Sequence, residues 1–117
     1  MLRVGRSLWA EEGLDPVVTS VYTKSIQQLI FDWLVGTDPK GQVLSTDTGL
    51  AYKWEQGADR LSWTFYLRKG VQWDKGYGEV TAEDVKFSID RTISTQGTRA
   101  PYAAALKAAI QEIQVVD

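Results

Sequence analysis

Leu61, Trp63, Phe65 and Leu67 alternate with Ser62, Thr64, Tyr66 and Arg68 without a break. A period of two is the pattern of a β-strand with one apolar and one polar face, and this is the cleanest strand in the sequence. A second run, residues 50–55, carries Trp54 as its anchor, and Gly57-Ala58-Asp59-Arg60 lies between the two as a polar reversal. Two such runs around a turn predict a β-hairpin. Alternation assigns Trp63 and Phe65 to the core, and Trp54 and Trp73 are expected there with them.

The flanking segments predict helices and short strands. Leu2-Arg3-Val4-Gly5 reads as a short strand and residues 7–15 as a loop, with Gly13 and Asp15-Pro16 as breakers. Ile26, Leu29, Ile30, Trp33 and Leu34 then follow the spacing of one helix face. The spacing predicts a helix over residues 21–35, capped by Thr19 or Ser20 and followed by Gly36. Thr37-Asp38-Pro39-Lys40-Gly41 is a turn, and residues 42–44 a short strand. Lys69-Gly70 interrupts the strand run, Val71-Gln72-Trp73 resumes it, and Asp74 to Gly78 forms a second turn. Thr81-Ala82-Glu83-Asp84 has the form of a capping box. Val85, Ile89 and Ile93 form the stripe of the helix that follows, with Phe87 to one side and the end expected at residues 92–95. Pro101 suits the first position of a further helix, with Tyr102, Leu106, Ala109 and Ile110 facing inward. Ile113-Gln114-Val115-Val116 reads as a last strand. The fold class is α+β, a small, mostly antiparallel sheet with about three helices.

Composition removes many functions. At 117 residues there is room for one domain. The net charge of -2 lacks the basic footprint of a nucleic-acid binder. No apolar run reaches the length of a membrane-spanning helix. Histidine and cysteine are both absent, which excludes Ser-His and Cys-His nucleophiles, disulfides, and zinc or iron–sulfur centres built on those ligands. Carboxylate chemistry, lysine chemistry and plain binding remain.

The surviving constellations are weak. Glu11-Glu12 reads as a solvated loop pair. Asp74 and Glu79 flank a glycine turn and could face each other as a hydrolase pair, but Asp beside Gly is ordinary turn chemistry. Asp38, Asp47, Asp59 and Asp74 lack the spacing of a calcium loop, and no glycine-rich phosphate loop occurs. Lys53, Lys69 and Lys75 are scattered. The residues thus support no catalytic site, no metal and no cofactor. The rival binding reading is a standalone aromatic-rich carbohydrate-binding module.

The central segment carries a more specific pattern. Leu50-Ala51-Tyr52-Lys53-Trp54-Glu55 is followed by Leu61-Ser62-Trp63-Thr64-Phe65-Tyr66-Leu67-Arg68-Lys69-Gly70-Val71-Gln72-Trp73. Val80-Thr81-Ala82-Glu83-Asp84-Val85-Lys86-Phe87-Ser88 and Arg91 come next. This series resembles family 5 of the extracellular solute-binding proteins, the peptide-, nickel- and oligosaccharide-binding subunits of ABC importers. Leu2-Arg3-Val4-Gly5, Leu14-Asp15-Pro16 and Asp38-Pro39-Lys40-Gly41 extend the likeness over nearly the whole chain. Two turns depart from the family pattern: residues 44–49 lack its proline, and Asp74-Lys75-Gly76-Tyr77-Gly78-Glu79 replaces a His-Asp-Gly type.

The resemblance implies part of the N-terminal lobe of a two-lobed periplasmic-binding-protein fold. Residues 1–37 would supply the first strand and helix of the ligand-binding lobe, and residues 38–117 its bracing subdomain. The implied role is non-enzymatic: capture of an oligopeptide or other small solute on the outer face of the cytoplasmic membrane, periplasmic or extracellular, and delivery to the permease subunits. Contact with the membrane would run only through the permease or a lipid anchor. Trp9, Val18, Thr19 and Ser20, in the loop after the first strand, and Tyr102, at the start of the last helix, are the implied ligand contacts. Arg91 is expected to pair on its own helix's surface. No export signal is visible, and family members are several times longer, so the chain is expected to be a piece of a larger protein. Isolated, it is expected to expose apolar surface and self-associate.

Overall fold

The two strand-like runs pair as their alternation requires. The computed structural model describes residues 15–17, 27, 29–40, 44–94 and 102–116. Strand β1 (Gly36–Thr37) pairs antiparallel with β2 (Leu44–Ser45). Strand β3 (Ala51–Gln56) pairs antiparallel with β4 (Trp63–Leu67), and these are two separate two-stranded sheets. Trp54 stands opposite Phe65 and Gln56 opposite Trp63, with a bulge between Ala51 and Lys53.

The hairpin turn is built on Asp59. Its Oδ1 accepts the Leu61 amide at 2.9 Å, the Ser62 amide at 3.0 Å and the Ser62 hydroxyl at 2.9 Å. The Ser62 and Leu61 amides favour the charged carboxylate and hold the Asp59 carboxyl below its ordinary range. The Gly57 amide closes onto the Ser62 carbonyl at 2.9 Å, and Arg60 takes a left-handed conformation with φ 60°.

Arg68 fastens the hairpin to the segment before it. Its amide donates to the Leu50 carbonyl at 2.9 Å, its Nε to the Gly49 carbonyl at 3.0 Å, and its Nη2 to the Thr46 carbonyl. The Leu50 and Ala51 amides in turn donate to the Trp33 and Leu34 carbonyls, both at 2.8 Å. This pairing corrects the expected helix over residues 21–35. Gln27 is helical, and its carbonyl accepts the Ile30 and Phe31 amides at 2.9 and 2.8 Å. Residues 31–35 are not helical: their Trp33 and Leu34 carbonyls face residues 50 and 51, and Gly36 enters β1. Residues 21–26, and the expected first strand at residues 2–5, lie outside the described residues.

The stretch from Gly70 to Val80 folds back on itself. The Val80 amide donates to the Val71 carbonyl and the Trp73 amide to the Gly78 carbonyl, both at 2.8 Å, and Gln72 bridges Glu79. A 3-10 turn, Asp74–Gly76, makes the reversal, with φ of 76° at Gly76 and 99° at Gly78. Helix α1 (Ala82–Ile93) follows, ending where the sequence places it. Val85, Ile89 and Ile93 are half-buried while Phe87 is 67% exposed, so the predicted stripe and its outlier both hold. Helix α2 (Ala103–Ala109) turns Ala103 inward, whereas Ala109 is exposed, contrary to expectation.

Residues 113–116 correct a second expectation. Ile113 and Val115 are half-buried and Gln114 and Val116 exposed, so burial alternates as in a strand, but the segment joins no ladder among the described residues. The chain divides into two compact units, each assembled from non-contiguous stretches. One comprises Met1–Phe31 and Lys86–Val115, the other Asp32–Val85 and Val116–Asp117. Within the first, Val17 is 4% and Ala103 6% exposed; within the second, Ala51 is fully buried.

Candidate functional site

The alternation of the hairpin gathers its rings on one face. Trp54, Trp63 and Phe65, with Val35 and Leu44, line an apolar concavity of about 310 Å³. This corrects the expectation that the rings form a closed core: Trp63 is 52% and Phe65 39% exposed, and Trp73, outside the concavity, is 42% exposed. No carboxylate, amine or hydroxyl lines it. The groove can bury apolar surface, but it offers no group for acid–base or nucleophilic work.

The polar face of the same hairpin holds a closed network. Lys53 Nζ lies 2.7 Å from Glu55 Oε1, and the Tyr66 hydroxyl donates to Glu55 Oε2 at 2.7 Å. Lys53 Nζ also sits 4.6 Å from the centre of the Tyr66 ring, and Tyr52 packs beside that ring at 6.3 Å. The hydrogen bond from Lys53, and then that from Tyr66, holds the Glu55 carboxyl below its ordinary range. Hydrogen bonding to Glu55 raises both Lys53 and the Tyr66 phenol. Lys53 is thus held protonated, the reverse of what a nucleophilic lysine needs.

The hydrolase pair loses a member to backbone structure. Glu79 Oε1 accepts the Gly70 amide at 2.5 Å, bracing the reversal beyond β4. Glu83 and Asp84 open α1, where Asp84 Oδ2 accepts the amide and the hydroxyl of Thr81, each at 2.8 Å. The Thr81 hydroxyl therefore donates to the box instead of accepting from it. Those bonds, joined by one from the Trp73 side chain, hold the Asp84 carboxyl below its ordinary range. Among the described residues no group of three acidic side chains could hold a metal ion, and no helix is long and apolar enough to cross a membrane.

Of the five implied ligand contacts, Trp9, Val18, Thr19 and Ser20 lie outside the described residues. Tyr102 is half-buried immediately before α2, and its carbonyl accepts the Leu106 amide at 3.0 Å. One contact corrects the expectation that Arg91 pairs on its own helix's surface. Arg91 of α1 grips Asp15 with both terminal nitrogens, Nη1 at 2.9 Å from Oδ1 and Nη2 at 2.5 Å from Oδ2. The Val17 amide donates to the same Oδ1 at 3.0 Å. The Arg91 bonds, and then the Val17 amide, hold the Asp15 carboxyl below its ordinary range. A separation of 76 residues leaves no local signal for such a pair.

Comparison with known proteins gives this geometry its context. The family model for bacterial extracellular solute-binding proteins, family 5 Middle, matches residues 46–117, the stretch that holds the hairpin, α1 and α2. The chain is 34% identical over 96 residues to the periplasmic oligopeptide-binding protein OppA of Haemophilus influenzae, covering 81% of this chain and 17% of that protein. It is 47% identical over 59 residues to the dipeptide-binding protein of Escherichia coli K12, covering 46% of this chain and 10% of that protein. Among solved structures it resembles the binding protein MoaA of A. tumefaciens R10, in complex with mannopinic acid. That match has a TM-score of 0.72 at 37% identity and covers 89% of this chain and 21% of the other. The chain therefore spans about a fifth or less of the length of each of these relatives. The antiparallel α+β arrangement agrees with this fold.

Proposed function

Since the chain belongs to the bacterial extracellular solute-binding proteins of family 5, we propose that it forms part of the N-terminal lobe of a two-lobed solute-binding protein. That protein captures a peptide-like or related small solute outside the cytoplasmic membrane, on its periplasmic or extracellular face, and delivers it to the permease subunits of an ABC importer. Residues 1–37 belong to the ligand-binding portion of the lobe and residues 38–117 to the subdomain that braces it. The lobes close on the solute by a hinge, and no bond is made or broken. Affinity comes from aromatic walls and buried polar groups in the cleft, with Trp9, Val18, Thr19, Ser20 and Tyr102 contributing from this part.

The match of the family model across residues 46–117 carries this reading. An antibody raised against the chain tests the first half: the native polypeptide it detects should be several times larger than 13.1 kDa. Calorimetric titration of that polypeptide with dialanine, trialanine and mannopinic acid tests the second half. A native band at 13.1 kDa, or no heat of binding with any of the three, overturns the reading.

A further inference from the structure

We draw no further inference here: the strongest candidate, the apolar concavity on the ring face of the β3–β4 hairpin, lined by Val35, Leu44, Trp54, Trp63 and Phe65, carries nothing, because nothing among the described residues shows what covers it.

Discussion

Gly36 and Thr48 approach so closely that a β-carbon on Gly36 would stand 2.5 Å from both the carbonyl carbon and the carbonyl oxygen of Thr48. The Thr48 hydroxyl meanwhile donates to the Thr37 carbonyl at 2.9 Å, drawing the loop over β1. The nearest atom met is that hydroxyl oxygen, and the two beyond it are backbone, which cannot swing aside. Gly36→Ala should therefore destabilise the protein by about 2 kcal/mol, the middle of the range for overpacking. Urea unfolding followed by circular dichroism measures it. An unchanged midpoint would mean that the Thr48 backbone is free to retreat.

Arg68 should matter more than its place on the polar face of β4 suggests. Its guanidinium reaches the Gly49 and Thr46 carbonyls, tying the loop before β3 to the end of β4. Charged hydrogen bonds of this kind contribute about 1.5–3 kcal/mol each when a buried partner is otherwise left unmade. With the site half-buried, Arg68→Ala should cost about 2 kcal/mol in all. Arg68→Lys should recover less than half, since one ammonium cannot span both carbonyls. Full rescue by lysine would show that charge alone matters there.

These two contacts mark where the sequence stops being readable. Local signals were legible: the period-two run became β4, Asp59 became the turn, and Thr81 with Asp84 became the start of α1. The non-helical path of residues 31–35, whose Trp33 and Leu34 carbonyls meet residues 50 and 51, was not legible, since side-chain periodicity carries no information on backbone partners. The same limit hid the bulge between Ala51 and Lys53, the reach of Arg68 and the Asp15–Arg91 pair. Burial was misread for a related reason. Alternation correctly put Trp63 and Phe65 on one face, but it says nothing of what lies above that face. Of the candidate solute contacts, Tyr102 alone falls among the described residues; its spacing with Leu106 points to burial, and only the family resemblance points to a solute.

The exposed ring face predicts association of the isolated chain. Leu44 is 61% and Trp63 52% exposed around the apolar concavity, and contiguous apolar surface favours self-contact. Sedimentation velocity on the 117-residue chain should give a mass above 13.1 kDa at about 100 µM. Leu44→Thr with Trp63→Thr should shift it toward monomer. A wild-type chain that stays monomeric at that concentration, or a double variant that associates equally, would remove this face from the explanation.

Stability should fall in acid, with Asp15 and Asp84 contributing alongside Asp59 and Glu55. All four carboxyls are held below their ordinary range in the folded protein, Asp15 chiefly by Arg91 and Asp84 chiefly by the Thr81 amide. For a group depressed on folding, the unfolded chain binds the proton first. The stabilisation is therefore complete above the unfolded value, about 4 for aspartate, and is lost as pH falls through the lower folded value. Urea midpoints should be level between about pH 7 and 5 and drop below about pH 4. Asp84→Asn should be less stable than wild type at neutral pH, and the difference should narrow in acid as the wild-type carboxylate takes up its proton. Thr81→Ala, which removes the hydroxyl partner, should cost about 1 kcal/mol at neutral pH. It should also flatten the acid limb, because Asp84 then loses one of the bonds that depress it. An acid limb of unchanged slope in Asp84→Asn would locate the acid sensitivity elsewhere and leave the box at the start of α1 a bystander.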